Sequence, residues 1–218
     1  PPLSAVEGRA VRGVERLGKR LVFALDGELF LVLHLMIAGR LRWRARGAGL
    51  PGRIGLAAFD TPDGTLVLTE ASKKKRASLH VVAGRAALAA FDRGGLELLD
   101  ASPEAFAAAL TRENHTLKRA LTDPRLLSGI GNAYSDEILH RAGLSPLQRT
   151  AHLDAAALAR LHAVSVEVLV EWTERLRAEV GDGFPDKVTA FRPEMAVHGR
   201  YGQACPVCAA PVQRVIYA

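Results

Sequence analysis

The spacing of apolar residues changes once along this chain, and that change limits the folds open to it. Between residues 8 and 70 apolar positions alternate as in strands with one buried face. Residues 21–25 and 29–33 flank Asp26-Gly27, a dipeptide that favours a tight hairpin. Residues 41–43, 54–59 and 65–69, the last after the turn Pro62-Asp63-Gly64, extend the set, and 79–82 closes it. Helical spacing then takes over. Ser102-Pro103-Glu104 has a capping serine and a proline at the first helical position. Helices are predicted over 106–110, 116–121, 132–142 (stopped by Gly143) and 154–179. The last carries an apolar stripe of Leu158, Leu161, Val164, Val168 and Trp172. Residues 181–204 read as a loop and 205–217 as the opening of a small β-ribbon.

The expected fold class is therefore α+β. An incomplete N-terminal β-sandwich spans 1–92, a helical domain 102–195 and a truncated ribbon 196–218, with a linker near 92–102. With 218 residues, 49% of them hydrophobic, there is enough apolar material for one large or two small cores. No opening stretch is organised like a signal peptide, and no apolar run reaches membrane-spanning length. A cytoplasmic, nucleoid-associated monomer with no membrane partner is expected.

The net charge of +6 and the pI near 9.7 favour nucleic acid or another anionic surface over an acidic partner. The segment LLSGIGNAYSDE, residues 126–137, reads as two helices joined by a glycine-built hairpin. Gly129 and Gly131 permit positive φ and close approach of another backbone. Asn132 is the expected cap of the following helix, whose remaining amides would point at an anion such as a phosphate. The alternative is an ordinary helix hairpin, since glycine commonly ends helices. Ser72-Lys73-Lys74-Lys75-Arg76 holds half of the lysines on one turn, either as a solvated loop or as a phosphate contact whose counterions are released on binding. Lys19 precedes the first strong hairpin, and Lys118 lies on the helix before the glycine hairpin; each could equally be a solvent-facing charge. Residues 34–40, HLMIAGR, place apolar side chains in a turn, as a core plug or as a wedge between bases. Cys205 and Cys208 have the spacing of a zinc knuckle, with His198 near enough to be considered as a third ligand. A thiol pair of no consequence and a redox pair are the other readings.

Taken in order, GKRLVFAL, HLMIAGRL, LKRALTDPRLLSGIGNAYSDEILHRAGLSP and VHGRYGQACPVC resemble the formamidopyrimidine-DNA glycosylase and endonuclease VIII family of base-excision repair enzymes. The resemblance covers nearly the whole chain. It implies an enzyme that flips a damaged base out of duplex DNA. The amine of an N-terminal proline attacks the sugar C1′ to form a Schiff base, a neighbouring glutamate moves the proton, and β/δ-elimination cuts the strand. It further implies that Lys19 serves phosphate binding and β-elimination. Lys118, Gly129, Gly131 and Asn132 would contact the DNA backbone, and Glu137 would be structural. Cys205 and Cys208 would supply two of the four ligands of a structural Zn2+. Ile37 stands where a wedge methionine is common, and Lys73 and Lys74 stand where many members carry an Arg-Arg-Phe segment. The implied partner is double-stranded DNA with a damaged base or an abasic site.

The chain departs from the family at two places. The family begins with Pro-Glu, whereas Pro1 is followed here by Pro2, and Pro1-Pro2-Leu3-Ser4 aligns better with an internal segment. The nucleophilic proline, its glutamate and the second cysteine pair are expected to lie outside these residues. The 218 residues alone would then be a damaged-DNA-binding module without catalysis. An RNA-associated basic protein is the reading from a third class.

Overall fold

The computed structural model describes residues 1–186 and 188–215, which form two compact units. The first comprises Pro1–Asp92 with Val180–Val188, and the second Arg93–Glu179 with Thr189–Ala218. The first adds residues 180–188 to the expected 1–92, and the second begins at 93 where 102 was expected and takes in the segment expected as a separate ribbon. Residues 93–101 are part of the helical unit because Leu98 is 2% exposed in its core and Leu96 and Glu97 pair with a later strand. The segment after the long helix joins the β unit, where Phe184 stacks on Trp43 and Asp186 accepts a hydrogen bond from Arg44 Nη1 at 2.9 Å.

Among the described residues the β unit holds seven strands: β1 (Val11–Leu17), β2 (Arg20–Leu25), β3 (Leu29–His34), β4 (Gly39–Arg44), β5 (Gly55–Asp60), β6 (Thr65–Glu70) and β7 (Ser78–Ala83). They form two antiparallel sheets, ordered β1-β2-β3-β7 and β4-β6-β5. Alternate residues of β3 point to opposite faces of its sheet. Leu29, Leu31 and Leu33 share a core with Ala57 and Leu68 of the other sheet, while Phe30 and Val32 pack with Val82 and Leu88. Leu88 ends the short helix α1 (Arg85–Leu88) on that second face. This is why β3 reads as an unbroken apolar run, whereas the edge strand β1 is mostly exposed. The hairpin expected at Asp26-Gly27 forms there as a three-residue loop, residues 26–28, closed by Leu25 opposite Leu29, with Gly27 at φ 74° and Glu28 at φ 54°.

The helical unit contains β8 (Leu96–Glu97), α2 (Pro103–Thr111), α3 (Leu117–Thr122), β9 (Leu127–Ser128), α4 (Asn132–Ala142) and most of α5 (Ala155–Val180). Ser102 caps α2 by accepting a hydrogen bond from the Ala105 amide, as its sequence predicts. Phe106, Leu110, Leu117, Leu121, Ile130, Ile138 and Leu161 are essentially inaccessible and form one core. The buried seam of α5 runs through Ala157, Leu161, Ser165, Val168 and Trp172. It is rotated slightly from the expected stripe, so that Leu158 and Val164 flank it. Among the described residues no helix is long and apolar enough to cross a membrane.

Asp123, after α3, is clamped by the Arg125 guanidinium, with Nη2 at 2.6 Å and Nε at 3.1 Å. That fork holds the carboxyl down at about 2. Because the folded value lies below the unfolded one, the stabilisation is complete above the ordinary aspartate range and is lost as pH falls from about 4 to 2. With Arg125 half exposed, solvent screening leaves it at about 1 kcal/mol. Urea unfolding at pH 4 and pH 2 is expected to show this loss in the unaltered chain and a smaller one in Asp123→Asn.

Candidate nucleic-acid interface

In the helical unit, Ile130 is 1% exposed and anchors the hairpin in the core, and Gly129 takes φ 86°. A residue with Cβ is strained at that angle, so glycine lets the chain reverse immediately before the buried isoleucine. Asn132, expected as the cap of the next helix, is instead its first residue and is exposed. The cap is Gly131, whose carbonyl accepts from the Ser135 amide at 3.1 Å and which has no side chain to offer the first turn. The leading amides of an eleven-residue helix therefore lack a side-chain acceptor, which favours an anion there.

Lys118 on α3 faces this turn. Its Nζ donates to Asn132 O at 2.7 Å, Ser135 Oγ at 2.8 Å and Asp136 Oδ1 at 2.5 Å, and its side chain is 13% exposed. An ammonium has three protons, and all three have acceptors within the protein. Burial pulls the Lys118 ammonium below the ordinary lysine range, and the hydrogen bond and charge of Asp136 oppose that shift. Lys118 thus rivets α3 to the first turn of α4, where the sequence suggested a solvent-facing charge or a direct phosphate contact.

The opposite end of this network ties down the segment that leads to the cysteines. Asp136 Oδ2 accepts from His198 Nδ1 at 2.8 Å. Glu137, 7% exposed, accepts three backbone N–H bonds, from Ala196 at 2.8 Å, Val197 at 3.0 Å and His198 at 2.9 Å. With its ring stacked on Phe191 and its Nδ1 on Asp136, His198 serves this joint. The imidazole beside Cys205 is that of His140, its Nε2 3.2 Å from Sγ. Sequence spacing could not have singled it out, because it comes from α4.

Cys205 and Cys208 are free thiols on a tight turn in which the Ala209 amide bonds Cys205 O at 2.9 Å. Cys205 is pulled down to about 6, first by the backbone N–H groups of Cys208 and Val207 and then by His140. Among the described residues no three His, Cys, Asp or Glu side chains are gathered as a metal cage. Among the described residues, the cysteine segment carries one isolated β-bridge, between Ala204 and Pro211. Residues 216 and 217, expected in the ribbon, lie outside the described residues.

The β unit presents its own basic features. Lys19 sits in the β1–β2 turn after Gly18, at φ 59°, and burial lowers its amine. Arg20 and His34 pair at the same sheet end, where burial and then the charges of Arg20 and Lys19 lower His34. The lysine loop is shaped from inside. Glu70 is 1% exposed and accepts from Ser72 Oγ at 2.8 Å and from the Arg76 and Ala77 amides at 2.9 and 3.0 Å. Lys75 turns back to donate to Glu70 O, and Lys73 and Lys74 remain exposed. In the turn after β3, Ile37 is 80% exposed and Met36 44%, so neither is a core plug. Strand β4 adds Arg40, Arg42 and Arg44 on one face, opposite Thr69, Val67 and Thr65. Their alternation is visible in the sequence.

Comparison with known proteins adds the following. Residues 3–92 match the formamidopyrimidine-DNA glycosylase N-terminal domain, and residues 97–179 the formamidopyrimidine-DNA glycosylase H2TH domain. The chain is 32% identical over 216 residues to a formamidopyrimidine-DNA glycosylase of Moorella thermoacetica, covering 95% of this chain and 77% of that protein. It is 34% identical over 229 residues to an enzyme of the same name from Thermus thermophilus, covering 97% and 79%. The crystal structure of the MutM (Fpg) protein from Thermus thermophilus superposes with a TM-score of 0.79 at 32% identity, covering 97% of this chain and 80% of that one.

Proposed function

This chain belongs to the formamidopyrimidine-DNA glycosylase family, and from that membership we propose that it holds duplex DNA containing a damaged base or an abasic site. The observation that carries the reading is the glycine hairpin with its uncapped α4 terminus, braced by Lys118. It offers a preformed anion seat for a DNA phosphate, a contact that positions the duplex without reading its sequence. Exposed Lys73 and Lys74, on a loop set by buried Glu70, supply further backbone charge. Lys19, with its lowered amine beside Arg20 and His34, would hold a phosphate and assist β-elimination.

The chemistry we propose for this family fold is base excision followed by β/δ-elimination through a proline Schiff base. Pro1 is not proposed as that nucleophile, because Pro2 and a 3-10 turn over Leu3–Val6 follow it in place of the glutamate the step needs. A structural zinc would be held in part by Cys205 and Cys208. Their turn, with the Val207 amide 3.4 Å from Cys205 Sγ, suits two thiolate donors of a tetrahedral site. Zinc there would fix the shape of the ribbon.

Binding to a duplex with a tetrahydrofuran abasic analogue, to intact duplex and to structured RNA, across salt concentrations, tests this reading. The abasic duplex is expected to bind most tightly. The Lys73→Ala/Lys74→Ala pair is expected to reduce the slope of log affinity against log salt by about 2, since each phosphate left unneutralised removes roughly 0.9. Borohydride is expected to trap no adduct between these residues and abasic DNA. Preference for RNA would sink the proposal, and a trapped adduct through Pro1 would overturn the statement about that residue.

A further inference from the structure

One side of α4 ties down the segment that carries the cysteines. Asp136 and Glu137 stand four and three residues before His140, a spacing that brings the three side chains to the same side of a helix. The first two hold residues 196–198. His140, half-buried in the last turn, reaches further along the segment and places Nε2 3.2 Å from Cys205 Sγ. Other bonds around this cysteine are local. The Val207 amide lies 3.4 Å from Sγ, the Cys205 amide donates to Ala210 O at 2.8 Å, and the Ala209 amide donates to Cys205 O at 2.9 Å. Ala209 sits at φ 60°, a left-handed conformation that side-chain-bearing residues seldom adopt. Strain kept in place by surrounding bonds is a mark of a functional segment. These local bonds shape the turn from within, whereas the His140 bond spans 65 positions and ties the sulfur itself to α4.

We propose that His140 is a positioning residue for Cys205 as a zinc ligand, a role that rests on the zinc reading above. Its Nε2–H donates to the thiolate from outside the coordination shell and fixes where the sulfur stands. A neutral imidazole carries one N–H, which this role places on Nε2. The distance favours donation over ligation. Two ligands on one tetrahedral zinc, with nitrogen at ~2.0 Å and sulfur at ~2.3 Å from the metal, stand about 3.5 Å apart. His140 and Cys205 are closer than that, at a hydrogen-bond separation, and among the described residues no third ligand completes a cage around them. A metal-bound thiolate keeps lone pairs that can accept N–H bonds, and hydrogen bonds from outside the shell orient a ligand and raise metal affinity. The residue type matters for the same reason. Phenylalanine would fill much of the space without a donor, and glutamine would keep an N–H.

The test titrates Zn2+ into the full chain, with its thiols reduced, against a chelating indicator. Co2+ is titrated in parallel for its absorption spectrum. The unaltered chain is expected to bind Zn2+ and to give a thiolate-to-metal charge-transfer band with Co2+. His140→Phe is expected to weaken Zn2+ affinity by about tenfold or more, and His140→Gln to recover most of that loss. The Co2+ ligand-field bands should keep their positions in both variants, because the metal's own ligands are unchanged. Urea unfolding of the metal-free chain reads out a merely structural role, and its midpoint is expected to hold in both. Equal Zn2+ affinity in the unaltered chain and His140→Phe would overturn the positioning role, as would a loss of affinity matched by a fall in that midpoint. Ligand-field bands that move in both variants would show that the imidazole binds the metal directly, which also overturns it. Failure of the unaltered chain to bind either metal overturns the zinc reading itself and the role of His140 with it.

Discussion

Replacing Glu137 with alanine is expected to destabilise the helical unit by about 3–5 kcal/mol, because three backbone amides lose a charged acceptor at once. Leaving a buried donor unmet costs more than a hydrogen bond contributes on average, and here the donors are consecutive. The variant keeps the α4 backbone, so the damage falls on the segment 196–198 and on the cysteine turn beyond it. Urea unfolding should show the shift in midpoint, and amide exchange at Ala196, Val197 and His198 should rise well before the core opens. Glu137→Gln retains one carbonyl acceptor and should recover part of the loss. A midpoint within about 1 kcal/mol of the unaltered chain in Glu137→Ala would show that the joint is not held by the carboxylate.

Replacing Lys118 with methionine, which keeps most of the apolar stem, is the second large effect. The ammonium is 13% exposed and Asp136 31%, so the loss strands a partly buried carboxylate and two neutral acceptors. Breaking a fully buried pair costs about 3–5 kcal/mol, and the partial exposure of Asp136 brings the expected loss to about 2–3 kcal/mol. Duplex affinity should fall by more than about tenfold, since the hairpin proposed to seat a phosphate loses its brace and the stranded Asp136 charge repels the backbone. The salt slope distinguishes this from a direct contact. A lysine on a phosphate takes about one unit of slope with it, whereas all three Lys118 protons already have protein acceptors. An unchanged slope is therefore expected for Lys118→Met, against the loss of about 2 for the Lys73/Lys74 pair. A slope reduced by one in Lys118→Met would show that the ammonium leaves its acceptors for DNA.

Much of this was legible in the residues themselves. The change of period near residue 100, the capping of α2 by Ser102 and the stop at Gly143 are short-range signals, and each falls where the chain chemistry puts it. The outward lysines of the basic loop were singled out, but not the buried Glu70 that orients them, since a glutamate at a strand end looks like any exposed charge. Asn132 was expected to cap α4 because asparagine is a good cap, yet the cap position is set by where the hairpin lets the first helical bond form. His198 stands near the cysteines in sequence, while His140, 65 residues from Cys205, is the imidazole that reaches its thiol. The segment after α5 read as part of the helical domain, and the contacts of Phe184 and Asp186 place it with the β unit.

By itself the sequence determined the order of elements, the glycine turns and the residue types that could meet a phosphate, because backbone preference and apolar period act over a few residues. Only the tertiary structure decided what those residues touch. Asp136 meets His198 across 62 positions, Glu137 meets Ala196 across 59, and Lys118 directs its protons to α4. Such pairings depend on which distant segments the core brings together, and burial of apolar surface, which drives that assembly, is non-directional and names no partner in advance.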